Sequence, residues 1–226
     1  MAMADIGLDD TIMRSGQSSA KRRALTKQGK LNQSRILDAA LTVFAQYGLR
    51  GSRLDQIAEA AGLSKTNLLY YVRSKDELYL AVLSRTLSMW LEPLEAFDND
   101  SNPRAAITSY IERKLEYSRD YPEASRLFAY EIMQGAPILN LLLENDLKQL
   151  VDAKTEIMKR WIAEGRMNKA DPRQVIFVIW ATTQHHADFA AQTRAVTGMD
   201  LSDPNFFEQT RQALVSCLTC GLFDHP

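Results

Sequence analysis

Cysteine is scarce in this chain of 226 residues, which has only Cys217 and Cys220. So few thiols exclude a disulfide-stapled fold and fit a reducing, cytoplasmic setting. Their i, i+3 spacing resembles half a zinc site, for which His185 and His186 could be imagined as partners, but metal ligation needs more ligand spacing than that, and small residues buried in a helix seam are the better reading. No apolar run approaches the ~18 residues of a membrane span. The longest, Val175 to Ala181, has seven residues. The N-terminus is acidic and has no apolar segment, so neither a secretory signal nor a membrane partner is expected. No stretch alternates apolar and polar residues as a strand would, and there is no internal repeat or low-complexity tract. A phosphate loop, a nucleophile elbow and a credible triad are missing too. So are the repeated Glu-x-x-His pairs of di-iron bundles. His185 and His186 are adjacent, so a helix points them in different directions. A helical-bundle enzyme is therefore the weaker reading, and no cofactor or metal is implied.

Net charge is nearly absent as well, at −1, but it is unevenly spread. Lys21 to Arg85 hold 12 Lys or Arg against 5 Asp or Glu, whereas residues 86 to 226 hold 14 against 20. A basic N-terminal third on an acidic remainder suits a nucleic-acid-binding domain joined to a part that avoids nucleic acid. A merely solvated basic surface would show the same balance.

Residues 52 to 75 decide between these. Leu54, Ile57, Ala58 and Ala61 recur at helical spacing, and Gly62 supplies the small residue of a tight C-terminal cap. Ser64 can then cap a second helix with its hydroxyl. Leu63, Leu68 and Leu69 are expected to fold inward, leaving Lys65, Thr66, Asn67, Tyr70 and Tyr71 on the polar face. Helix, short turn and helix with such a face make up a helix-turn-helix. Lys and Tyr can hold phosphates, while Thr and Asn can reach base edges. Arg53, Ser64, Lys65, Thr66, Asn67, Tyr70, Tyr71 and Lys75 are the expected DNA contacts, and double-stranded DNA the expected partner.

The rest of the chain is helical in period. Residues 1–26 are expected to be a disordered arm, basic from Lys21 to Arg23. A first helix from about Asn32 to Tyr47 carries Ile36, Leu37, Ala40, Val43 and Phe44 toward a core, and residues 27–75 complete a three-helix domain. A long helix starts at Ser74, with Glu77 completing a capping box, and runs to about Phe97, with Pro93 as a kink or break. Within 76–226, Pro103 opens a helix to Asp120 and Tyr121-Pro122 starts another through Met133. Helices at Ile138–Glu164, Val175 to about Gln192 and Asp203 to about Cys220 follow. The fold class is all-α, with a DNA-binding head and a C-terminal helical domain.

Residues 34 to 80 resemble the TetR family of bacterial transcription regulators. The carrying residues are Arg35-Ile-Leu-Asp-Ala-Ala40, Phe44, Tyr47-Gly48, Gln56-Ile-Ala58, Ala61-Gly-Leu-Ser-Lys65, Tyr70, Ser74-Lys75 and Leu78. Three positions depart from the usual family pattern: Leu69 stands for Tyr, Val72 for Phe and Arg73 for Pro, so the outward aromatic role is expected to pass to Tyr71. The resemblance implies a homodimer that reads palindromic operator DNA and a C-terminal domain that binds a small effector. Further segments, among them Tyr121-Pro-Glu-Ala-Ser-Arg-Leu-Phe128, Ile179-Trp-Ala181, Thr183-Gln-His185 and Ala187-Asp-Phe-Ala190, are similar to the pyrimidine-utilisation regulators of this family. That likeness implies a repressor relieved by uracil or thymine. His186 stands where those regulators have Tyr.

Trp180, Gln184 and Asp188 lie at i, i+4 and i+8 and so share one helix face. A planar base needs a flat partner and matched hydrogen bonds in a dry pocket. Trp180 could give the plane, and the Gln184 amide could donate and accept beside it. Lys114, Ser118 and Tyr130 are further polar groups on otherwise apolar helices. The residues alone favour Trp180 as core and Gln184 as a satisfied buried amide; the resemblance reverses this for these two and less so for the others. A different small effector is the alternative. A dimer seam is expected on the last two helices through Ile176, Ile179, Thr183, Phe207, Thr210, Leu214 and Cys217, small and apolar residues that allow close helix contact.

Overall fold

The computed structural model describes residues 27–223. The expected arm, residues 1–26, lies outside them. The described residues form helices with no strand element: α1 Lys27–Gly51, α2 Leu54–Ala60, α3 Lys65–Tyr71, α4 Lys75–Glu95, α5 Pro103–Asp120 and α6 Pro122–Met133. After the short turn Asn140–Leu142 and a π segment Leu143–Leu147 come α7 Lys148–Ala163, α8 Pro172–Asp188, α9 Ala190–Thr197 and α10 Pro204–Thr219.

The starts obey local chemistry. Asn102, Asp171 and Asp203 each accept a backbone N–H of the first turn, with Pro at the position after. That arrangement satisfies an orphan amide and wastes none on the proline. Ser74 caps α4 by accepting from Glu77 N at 3.0 Å. Pro93 does not break α4, because it falls in the last turn, where little helix remains to be disrupted. Two differences from the sequence reading matter. The helix expected over Ile138–Glu164 contains the π segment, and the one expected to reach Gln192 stops at Asp188. Phe189, at φ −113° and ψ 32°, leaves the helical region there, and α9 restarts at Ala190.

Contacts divide the chain into two units, each with its own core. The first takes the described residues through Ser88 together with Leu127–Asn140, so α4 remains in it well past residue 75. Ile36 and Phe44 of α1, Ile57 of α2, Leu68 of α3 and Leu78 and Tyr79 of α4 are buried there. Phe44 meets Tyr79 edge to face at 5.0 Å. The second unit takes Met89–Arg126 and the residues from Leu141 on. Its core runs from Leu94 and Phe97 through Ile107, Tyr110 and Ile111 to Met158, Trp161, Ile176 and Ile179, with α8 and α10 packed on α5. Lys154 donates to the Glu95 and Phe97 carbonyls at 2.7 and 2.9 Å, closing the C-terminal end of α4.

Candidate functional site

In the first unit, α2 and α3 are joined by a turn whose backbone favours glycine. Gly62 has φ +64°, and a Cβ there would stand 2.8 Å from Arg35 Nη2. That guanidinium donates to the Ala61 carbonyl at 2.7 Å, tying α1 to the end of α2. Ser64 caps α3 by accepting from Asn67 N at 3.2 Å. With Leu68 buried, Lys65, Thr66, Asn67 and Tyr70 are left on an exposed face.

The expected contact residues do not all stand alike. Lys65 pairs with Asp55 at 3.0 Å, but the two side chains are 56 % and 62 % exposed. Such a pair contributes only about 0–1 kcal/mol, so phosphate can displace it. Lys75 is half-buried and donates to the Ser52 carbonyl at 2.8 Å, bracing the loop before α2. Arg53 is exposed where α2 begins, and its backbone N–H is taken by Gln56 at 2.8 Å. Tyr71 is half-buried, and its hydroxyl accepts from Asn32 at 3.0 Å. The outward ring is Tyr70, 79 % exposed and edge-on to Tyr71 at 5.4 Å. Leu69 is exposed, not inward, because α3 has only two turns and Leu68 already occupies its core-facing line.

The second unit brings most of the remaining candidates together. Tyr110, Lys114 and Ser118 share one buried face of α5, and α8, which carries Trp180, Gln184 and Asp188, packs on that helix. Trp180 Nε1 donates to Tyr110 Oη at 2.5 Å. Burial pushes the Tyr110 phenol well above its usual range. Lys114 is 2 % exposed, its ammonium 4.4 Å from the Trp90 ring centroid. It has no hydrogen-bond or ion-pair partner among the described residues. Burial lowers it to about 7, against a smaller upward pull from Asp188. Asp188 accepts from Ser125 Oγ at 2.5 Å, and burial raises its carboxyl above the usual range. Gln184 is half-buried, and its amide too has no hydrogen-bond partner among the described residues. Ser118 is satisfied within its helix by the Lys114 carbonyl at 3.1 Å. Tyr130 belongs to the first unit and is exposed.

Three members of this cluster were not singled out by sequence: Tyr110, Trp90 and Ser125. Only Tyr110 left a signal, four residues before Lys114 on the same face.

The matches with known proteins agree with this layout. Residues 36–82 match the family model described as bacterial regulatory proteins, tetR family. Residues 83–224 match the one described as YcdC-like protein, C-terminal region. The chain belongs to the TetR family. It is 53 % identical over 200 residues to the HTH-type transcriptional regulator RutR of Escherichia coli K12, covering 88 % of this chain and 89 % of that one. A solved TetR-fold neighbour is the transcriptional regulator FadR from Bacillus subtilis in complex with stearoyl-CoA, at TM-score 0.62 and 17 % identity, covering 84 % of this chain and 98 % of that one. Another is AibR in complex with isovaleryl coenzyme A and operator DNA, at TM-score 0.63 and 15 % identity, covering 82 % and 97 %. Both are likenesses of fold.

As a TetR regulator the chain acts on transcription through its helix-turn-helix, and its relatives are regulators, not enzymes. No helix among the described residues is long and apolar enough to cross a membrane. Of the seven expected seam residues, Phe207 and Leu214 are half-buried and Cys217 is exposed, whereas the other four are turned inward. Ile176, Ile179 and Thr183 are buried within the chain itself because the small and apolar line of α8 turns toward α5, and Thr210 is buried where α10 packs on the same helix. The outward apolar residues of α8 are Phe177 and Val178, 45 % and 46 % exposed, with Ala181 exposed beyond them.

Proposed function

We propose that this TetR regulator is a repressor that binds palindromic operator DNA as a homodimer and is released by a pyrimidine such as uracil or thymine. The observation that carries the effector half is Lys114, a buried ammonium with no acceptor. Desolvating an ammonium costs several kcal/mol. A cation over an aromatic face returns ~2 kcal/mol. The remaining deficit is met by a ligand that brings hydrogen-bond acceptors and no bulky charge. The carbonyl oxygens of uracil or thymine suit it. The free Gln184 amide, which donates and accepts side by side, matches the adjacent imide edge. The likeness to pyrimidine-utilisation regulators and the 53 % identity to the E. coli regulator RutR support this reading.

For DNA, the exposed row Lys65, Thr66 and Asn67 would face bases, with Tyr70 and Arg53 toward phosphates. Lys75 and Tyr71 support that face through the Ser52 and Asn32 contacts. Phe177, Val178 and Ala181 of α8, with Cys217 of α10, offer the apolar patch on which a second copy would close.

The test uses a duplex selected by the protein from a random-sequence pool. Fluorescence anisotropy should give tight binding that uracil or thymine weakens at least tenfold while cytosine, which has one carbonyl fewer, does not. Equal weakening by all three bases, or by none, would remove the pyrimidine assignment.

A further inference from the structure

The only two thiols of the chain stand together at the carboxyl end of α10, in Cys217-Leu-Thr-Cys220. From sequence they belong buried in a helix seam, yet on this chain both are exposed. Cys217 lies in the last turn of the helix. Cys220 is the residue that ends it, at φ −60° and ψ 128°, its N–H donating to the Ser216 carbonyl at 3.0 Å. No group of three His, Cys, Asp or Glu that could hold a metal ion includes them among the described residues. A tetrahedral ion bound there would lack half its ligands. What two exposed thiols three residues apart can do is react with each other.

Side chains at i and i+3 of a helix have Cβ atoms about 5–6 Å apart, whereas a disulfide needs about 3.8 Å. Closing the bond therefore moves one cysteine by about 1–2 Å. Cys217 is held inside the helix. Cys220 is the movable one, because the chain leaves the helix there and reverses at Gly221, φ +81°. The segment after it restrains that movement. Asn168, in the loop after α7, donates its backbone N–H to the Leu222 carbonyl at 2.8 Å and its side-chain amide to the Gly221 carbonyl at 3.2 Å. The Arg104 guanidinium lies 5.1 Å from the Phe223 ring centroid. A disulfide closed against these ties is strained and easily reduced, the character of a regulatory bond rather than a structural one.

We infer that Cys217 and Cys220 form a reversible dithiol site, which hydroperoxides close to a disulfide within one chain. Cys220, beyond the helix, meets the peroxide. Its sulfur, as thiolate, attacks one oxygen: an S–O bond forms, the O–O bond breaks, and hydroxide leaves with the thiol's proton as water. The Cys217 sulfur then attacks the sulfenic sulfur of Cys220. An S–S bond forms, the S–O bond breaks, and the hydroxyl leaves with the Cys217 proton as a second water. Two electrons pass from the thiols to the peroxide. Glutathione reverses the change by thiol–disulfide exchange and is itself oxidised to its disulfide. Cys217 acts from beside Cys220 and need not meet the oxidant, so a second copy seated over it leaves the reaction open.

The test uses the full-length protein, reduced, exposed to hydrogen peroxide and then capped with N-ethylmaleimide. Intact mass should show a chain two hydrogens lighter that takes up no maleimide. It should run as a single chain on a non-reducing gel and recover two cappable thiols in dithiothreitol. Cys217→Ser should stop at a Cys220 sulfenic acid that dimedone traps, and Cys220→Ser should react about tenfold more slowly. Asn168→Ala removes the side-chain tie and keeps the backbone one. It should raise the equilibrium constant for disulfide formation against glutathione by about threefold or more. Thiols still fully capped after peroxide, or a disulfide joining two chains, would overturn the site. A constant unchanged in Asn168→Ala would overturn the restraint placed on Cys220.

Discussion

Lys114 shows how one side chain can be costly to the fold and useful to the site. Its ammonium is lowered from the ordinary 10.5 to about 7. Below pH 7 both folded and unfolded chains hold the proton, and the folded state bears the whole cost of a buried charge. Between pH 7 and 10.5 the unfolded chain binds one proton more, so stability rises with pH. At 1.36 kcal/mol per unit the full effect is at most about 5 kcal/mol. Lys114→Met should thus be more stable than wild type at pH 6, with the gap in urea midpoint shrinking by pH 9. A gap equal at both pH values would contradict the buried, unpartnered ammonium. The sequence marked Lys114, Gln184 and Asp188 as polar groups on apolar faces, and that is all a single chain position can reveal. The Trp180–Tyr110 bond joins residues 70 apart, and nothing local announces it. The same limit explains Tyr70 and Tyr71, whose order of exposure is set by Asn32 on another helix.

Among the elements, the helix-turn-helix was the most legible, because its punctuation is local. Gly62 and Ser64 act on amides and carbonyls within a few residues of themselves, so their roles follow from chain order. The π segment at Leu143–Leu147 and the break at Phe189 were not legible, since neither carries glycine or proline; within the π segment the Asn145 amide donates to the Leu141 carbonyl at 2.8 Å, a bond that chain order does not announce. Gly62→Ala would force a Cβ into φ +64° and against Arg35, costing about 1–2 kcal/mol for the backbone alone. A lower melting temperature and weaker DNA binding are expected together; unchanged melting would show that the turn relaxes freely. Ser64→Ala should cost about 0.5–2 kcal/mol by loss of the α3 cap, read by the same melt. Lys65→Ala tests the face itself. If Lys65 trades Asp55 for a phosphate, the slope of log affinity against log salt should flatten by about 0.9. An unchanged slope would leave Lys65 with its Asp55 pair and no phosphate.

For the whole molecule, regulation requires that the two ends of the chain answer each other, and reading a palindrome requires two heads. Light scattering at micromolar concentration should give twice the mass of one chain, and Phe177→Glu on the outward face of α8 should halve it. A wild-type monomer would contradict the palindromic reading. The most direct test of effector-controlled DNA binding compares wild type with Gln184→Leu, a substitution of nearly equal volume that removes only the amide. Each protein is titrated with the selected duplex, with and without uracil. The expected result is equal duplex affinity for the two proteins without uracil, and release by uracil of the wild type only. Leaving a base edge unpaired costs about 1–3 kcal/mol, enough to erase a coupling of the usual ~1–3 kcal/mol. Equal release of both proteins by uracil would contradict the site built around Gln184.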